Sequence, residues 1–122
     1  MEFTTEFDNA NEICIVRVVG THKRPDDSIV LQQFARDFGK ERGCLRFLFD
    51  MTQAQIVGDT LAAFETGTVP ADPDYTQTKQ KIALVYSSNI EAHKFMEDVA
   101  VNRGYQVQVF GQFDAAVEWL TT

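Results

Sequence analysis

The stretch Cys44-Leu45-Arg46-Phe47-Leu48-Phe49-Asp50-Met51-Thr52 is the most apolar run of the chain, and it ends abruptly in polar residues. It reads as a central β-strand. By the two-residue period, Leu45, Phe47 and Phe49 share one face while Arg46, Leu48 and Asp50 share the other, so one face is built for a core and the other is mixed. In an α/β protein, ligands meet the molecule beyond the carboxyl ends of parallel strands. That rule puts Asp50, and the Met51 to Thr60 segment that follows it as a loop, where a site is expected.

Upstream, Phe3, Thr5 and Phe7 alternate with polar neighbours, and the turn cluster Asp8-Asn9-Ala10-Asn11 separates them from the apolar run Ile13 to Val19. This pattern predicts a β-hairpin. Gly20 to Pro25 then leads into a helix with Asp26, Asp27 and Ser28 in its first turn and Lys40 and Arg42 in its last, as the helix dipole favours. Gly43 is its stop, and Leu31, Phe34, Ala35 and Phe38 form its inward stripe.

Downstream, Asp59 or Gly58 caps a short helix from Thr60 to about Glu65, with Leu61 and Phe64 inward. Thr66 to Gln80 contains Gly67, Pro70 and Pro73, shows no periodicity, and is long for a loop in a compact domain. Lys81 to Tyr86 is the next strand, and Ser88-Asn89-Ile90-Glu91 is a capping box. The helix it opens has the core stripe Ala92, Phe95, Met96 and Val99, which leaves His93 at the surface or boundary. Tyr105 to Phe110 alternates as an edge strand does. Gly111-Gln112-Phe113 turns, Asp114 caps, and Ala115 to Leu120 forms a last helix packed through Ala116, Trp119 and Leu120.

The order is β-β-α-β-α-β-α-β-α, one α/β domain over 1–122 with a mixed five-stranded sheet. The first strand is antiparallel and the others parallel. Right-handed crossovers between sequential parallel strands put the helices mainly on one face. The other face then stays partly open, carrying Leu48 and Phe110 among Arg46, Gln106 and Gln108. Such a surface, or the unpaired edge of the Tyr105 to Phe110 strand, invites a homodimer.

Eighteen acidic against eleven basic side chains leave a net charge of −7, which repels nucleic-acid phosphates and anionic membrane surfaces. No run approaches the ~20 apolar residues of a membrane span, and the amino terminus has no secretory pattern, so a cytoplasmic protein is expected. Cys14 and Cys44 each sit in an apolar run without ligand spacing. They read as buried free thiols, with no metal site and no cofactor motif anywhere in the chain.

The succession of elements, the strand end Phe49-Asp50-Met51-Thr52, the helix start Gly58-Asp59-Thr60 and the terminal Phe113-Asp114-Ala115-Ala116-Val117-Glu118-Trp119-Leu120 together resemble the STAS family, and more closely its SpoIIAA-like branch of small stand-alone bacterial proteins. The resemblance implies a SpoIIAA-like (βα)n superhelix and a non-enzymatic regulatory or interaction domain that works through a protein partner. In the family's anti-sigma-factor antagonists a hydroxyl at the second helix start is phosphorylated, and the matching position is Thr60. Gly58 before Asp59 and Leu61 after Thr60 depart from that pattern.

Three sites follow as expectations. Thr60 suits a switch, since a phosphate at a helix start changes charge on a docking surface; an Asp-Thr pair is also ordinary capping. His22 and Asp50, near the carboxyl ends of adjacent strands, approach an acid–base pair with Thr21 or Thr52, although no nucleophile elbow accompanies them. Ile56, Val57, Val69 and Tyr75 either roof a pocket for a small apolar, lipid-like ligand under the 66–80 loop or cover a satellite of the core. The partner or ligand surface is thus expected over His22, Asp50, Thr52, Ile56, Val57, Asp59 and Tyr75.

Overall fold

Asp8 closes the first turn. Its Oδ1 accepts the backbone N–H groups of Ala10 and Asn11 at 3.0 and 3.2 Å, and its Oδ2 takes the Asn11 amide at 3.0 Å. That Asx turn joins β1 (Glu2–Asp8) to β2 (Ile13–Lys23) as an antiparallel hairpin. The computed structural model of the protein describes residues 1–24, 26–58, 80–88, 90–102 and 106–122, with the side chains of 96, 99 and 100 excepted. The hairpin leads into α1 (Asp26–Arg42), β3 (Arg46–Val57), β4 (Lys81–Val85), α2 (Ile90–Asn102), β5 (Gln106–Phe110) and α3 (Phe113–Leu120). The sheet runs β1-β2-β3-β4-β5, parallel from β2 onward. No described helix is long and apolar enough to cross a membrane.

Strand alternation sorts the apolar side chains into two layers. Cys14, Val16 and Val18 of β2 and Phe47, Phe49 and Met51 of β3 pack with Leu31 and Ala35 of α1, Tyr86 after β4, and Ile90 of α2. On the other face Ile13, Ile15, Leu48, Ala83 and Val85 pack under Ala116 and Leu120 of α3. The α1 side follows its sequence pattern with one substitution: Gly39 is buried, and a Cβ there would stand 2.5 Å from the Phe47 ring. Phe34 stays largely exposed, its ring 4.8 Å from Phe3 and 6.3 Å from Phe38. Gly43 ends α1 with φ of 62°.

The open sheet face is corrected. Leu48 is 0% exposed, and Phe110 packs beside Trp119 at a ring separation of 5.8 Å, both beneath α3. Handedness constrains helices that connect two parallel strands. The helix after β5 is not a crossover between two of the described parallel strands, so it is free to fold back across the opposite face. The open face, one of the two surfaces on which a homodimer was expected, is therefore covered by α3. The cap of α3 also differs: Asp114 lies in its first turn, and the cap residue is Gln112, without a side-chain bond.

The stripe of α2 is corrected as well. Ala92 and Phe95 face outward, whereas His93 is buried and Ile90 and Glu97 are partly buried. Met96 and Val99 lie outside the described side chains. Cys14 and Cys44 are buried thiols outside any disulfide, as expected, and the Cys44 thiol lies 3.3 and 3.1 Å from the carbonyl oxygens of Glu12 and Arg46.

Candidate functional site at the carboxyl edge of the sheet

Strands β2 and β3 run on past their neighbours. The last β4 partner of β3 is Val85, opposite Asp50, whereas β2 and β3 stay paired through Gly20–Ala54, Thr21–Gln55, His22–Ile56 and Lys23–Val57. Asp50 is thus in mid-strand, and Met51 to Val57 is strand rather than loop. Gly20 keeps β2 going at φ of 86°, a conformation open to glycine without a Cβ clash. The sequence reading took glycine and polar residues for a strand end, and pairing overrode both.

The segment Asp50-Met51-Thr52 builds a bulge. Between the pairs Arg17–Asp50 and Val19–Gln53, β2 advances two residues and β3 three. Asp50 Oδ1 accepts the Thr52 backbone N–H at 3.0 Å and its hydroxyl at 2.6 Å, which fixes the extra residue. The bulge shifts the inward parity of β3, from Phe47, Phe49 and Met51 to Ala54 and Ile56. Gln53, Gln55 and Val57 consequently face away from α1, beside Val19 of β2.

His22 and Asp50 are not brought together. Asp50 stands opposite Arg17, whose Nε is 4.0 Å from Asp50 Oδ2 and whose Nη1 is 2.6 Å from Glu6. His22 points to the α1 side instead. Its Nε2 is 2.7 Å from Ser28 Oγ and its Nδ1 is 3.1 Å from Met1 Sδ. A thioether only accepts, so Nδ1 carries the hydrogen and Nε2 accepts from Ser28. Burial, reinforced by the Arg24 charge, lowers the imidazole to about 4, so it is neutral.

The sequence reading missed the cluster beside it. Arg24 Nη2 donates to Tyr86 Oη at 2.9 Å and to His93 Nδ1 at 2.9 Å, while the Tyr86 and His93 rings stack with centroids 3.6 Å apart. A guanidinium cannot accept, so His93 accepts at Nδ1 and holds its proton on Nε2. Burial, then the Arg24 charge, lowers this imidazole too to about 4. Burial raises the Tyr86 phenol, which stays protonated. Arg24 N–H also donates to Val57 O at 2.9 Å, tying the far end of the β2–β3 ribbon to this cluster. The available signal was spacing: Ile90, His93 and Glu97 fit a helical stripe as well as the apolar set did, and hydropathy ranked a histidine outside it.

Of the remaining expected residues, Ile56 packs partly buried on the α1 side, Val57 is exposed, and Thr52 is held by the bulge. Asp59, Thr60, Val69 and Tyr75, the short helix from Thr60, and the pocket under 66–80 lie outside the described residues. Among the described residues no group of His, Cys, Asp and Glu is arranged to hold a metal ion.

No family model and no curated protein matches the chain. Among solved structures it is similar to an uncharacterised protein of the DUF3478 family with a SpoIIAA-like fold from Shewanella loihica PV-4, at 14% identity and a TM-score of 0.55 over 98% of this chain and 92% of that one. The chain therefore has a SpoIIAA-like α/β fold, as its element order and terminal motif led one to expect. At that identity the likeness concerns the fold alone.

Proposed function

We propose that the protein is a non-enzymatic regulatory or interaction domain whose partner surface is the projecting β2–β3 ribbon. The observation that carries this reading is the part of the sheet face that α3 leaves uncovered. There Val19 and Val57 are 48% and 51% exposed among the polar Thr21, Gln53 and Gln55, on a rigid two-stranded platform stitched down by Arg24. Apolar side chains held on paired strands, rimmed by amides and hydroxyls, suit a protein partner, and they lose little side-chain freedom on docking. His22 being oriented by a thioether rather than a carboxylate also favours a binding role over catalysis. In sequence the ribbon leads directly into Gly58-Asp59-Thr60, so a phosphate on Thr60 would act next to the docking strands.

The test is affinity capture with the immobilised protein, followed by mass spectrometry. A partner held by wild type is expected to be lost from Val19→Asp/Val57→Asp and weakened by Thr60→Glu. Identical eluates from all three proteins would remove the reading.

A further inference from the structure

We infer that Arg24, Tyr86 and His93 form a binding site for a small oxyanion, a carboxylate or phosphate group, on the α1–α2 side of the carboxyl edge. This does not rest on the ribbon as a docking surface, because the cluster lies on the opposite side of the sheet. The argument is one of unspent donors. Arg24 Nη2 uses both hydrogens on Tyr86 and His93, which leaves those of Nε and Nη1 without an acceptor among the described residues. The phenol accepts from Arg24, and its own proton has no acceptor among the described residues. The same holds for His93 Nε2–H.

Charge points the same way. The guanidinium is half-buried in a protein with seven more acidic than basic side chains, yet no described carboxylate forms an ion pair with it. Arg17 and Arg42, in contrast, each lie within 4.0 Å of an acid. Asp27, at the start of α1, gives its Oδ2 to the Lys23 backbone N–H at 2.8 Å. A half-buried guanidinium whose described side-chain partners are two neutral rings is costly to keep and is short of a counter-charge. Its planar fork and the neighbouring O–H and N–H groups match the lone pairs of a carboxylate or phosphate. Tyr86 and His93, stacked and buried, fix the fork in place before any ligand arrives.

The site is tested by NMR titration of the 15N-labelled protein at pH 7 with sodium phosphate and, separately, sodium acetate, with ionic strength held constant by sodium chloride. Saturable shifts of the Arg24 Nε–H and the His93 ring are expected in at least one arm. Phosphate alone identifies a phosphoryl ligand, acetate alone a carboxylate, and both an oxyanion site without preference. The dissociation constant is expected to rise at least about tenfold in Arg24→Gln and several-fold in Tyr86→Phe, as loss of a charged and of a neutral hydrogen bond implies. Where Arg24→Gln does not fold, Tyr86→Phe decides. Non-saturating drift in wild type, or wild-type affinity in the folded variants, overturns the site and leaves Arg24 a structural strut.

Discussion

Gly39 lies within α1, at the start of its last turn, where alanine is ordinarily the better helix former by about 1 kcal/mol. Here packing reverses that preference. An added Cβ would stand 2.5 Å from Phe47 Cζ and 3.0 Å from the Cys44 carbonyl oxygen, one a buried ring and the other backbone, and neither can move aside cheaply. Gly39→Ala is expected to destabilise the protein by roughly 1 to 3 kcal/mol in urea unfolding, the usual range for overpacking. A gain in stability would mean that the α1–β3 contact is looser than described. The two buried imidazoles make a second residue-scale prediction. Each is lowered to about 4 in the folded protein against 6.5 in the unfolded chain, so between those values the unfolded state binds more protons. Stability is then fully present above pH 6.5 and is lost as pH falls toward 4, by something like 2 kcal/mol for each imidazole. Burial raises the Glu97 carboxyl, which opposes the trend at the acid end. The His22→Asn/His93→Gln double variant is therefore the control, and its unfolding midpoint should vary less over pH 4.5 to 6.5 than that of wild type. Equal slopes would show that the imidazoles are not buried neutral.

At the scale of elements, α3 is an eight-residue helix that covers Ile13, Ile15, Leu48, Ala83 and Val85 on one face of the sheet. Leu120→Ala removes a side chain that is fully buried there, and a loss of about 2 to 5 kcal/mol is expected. Truncation after Phe110 exposes Leu48, Val85 and Phe110 together, and light scattering should then show a larger apparent mass, relative to chain mass, than that of the intact chain. A truncated chain no more associated than the intact one would contradict the account of that face. The hairpin, α1 and the parallel order were legible because each rests on local signals: a turn cluster, a charged first and last turn, an apolar alternation. The long arms of β2 and β3 were not, because Gly20 and the polar run after Asp50 are strand-enders by propensity, and only pairing between them keeps both extended. The bulge hides the alternation further, since a period of two breaks at Met51-Thr52 and resumes out of phase. The side chosen by α3 was equally invisible, because a helix after the last strand escapes the handedness rule. At the candidate site, Thr52 and Val57 were expected in a loop past the strand end, whereas both lie on β3. Arg24, Tyr86 and His93 were missed because the three are adjacent only once β2, β4 and α2 have been brought together.

On the scale of the whole molecule, the fold spends its two helical layers unevenly. Among the described residues, one side of the sheet is covered by α1 and α2 and the other only as far as α3 reaches, and Val19 and Val57 of the ribbon beyond it are exposed. The net negative charge argues against nucleic acid on that surface, and the two valines argue for a partner that removes them from water. The most direct test is photo-crosslinking in cells with a photoreactive amino acid placed at Gln55, on the exposed face of the ribbon, and at Gln33, on the outer face of α1. The account predicts a discrete adduct heavier than the 13.8 kDa chain from position 55 and none from position 33. No adduct from 55, or the same pattern from both positions, would contradict it.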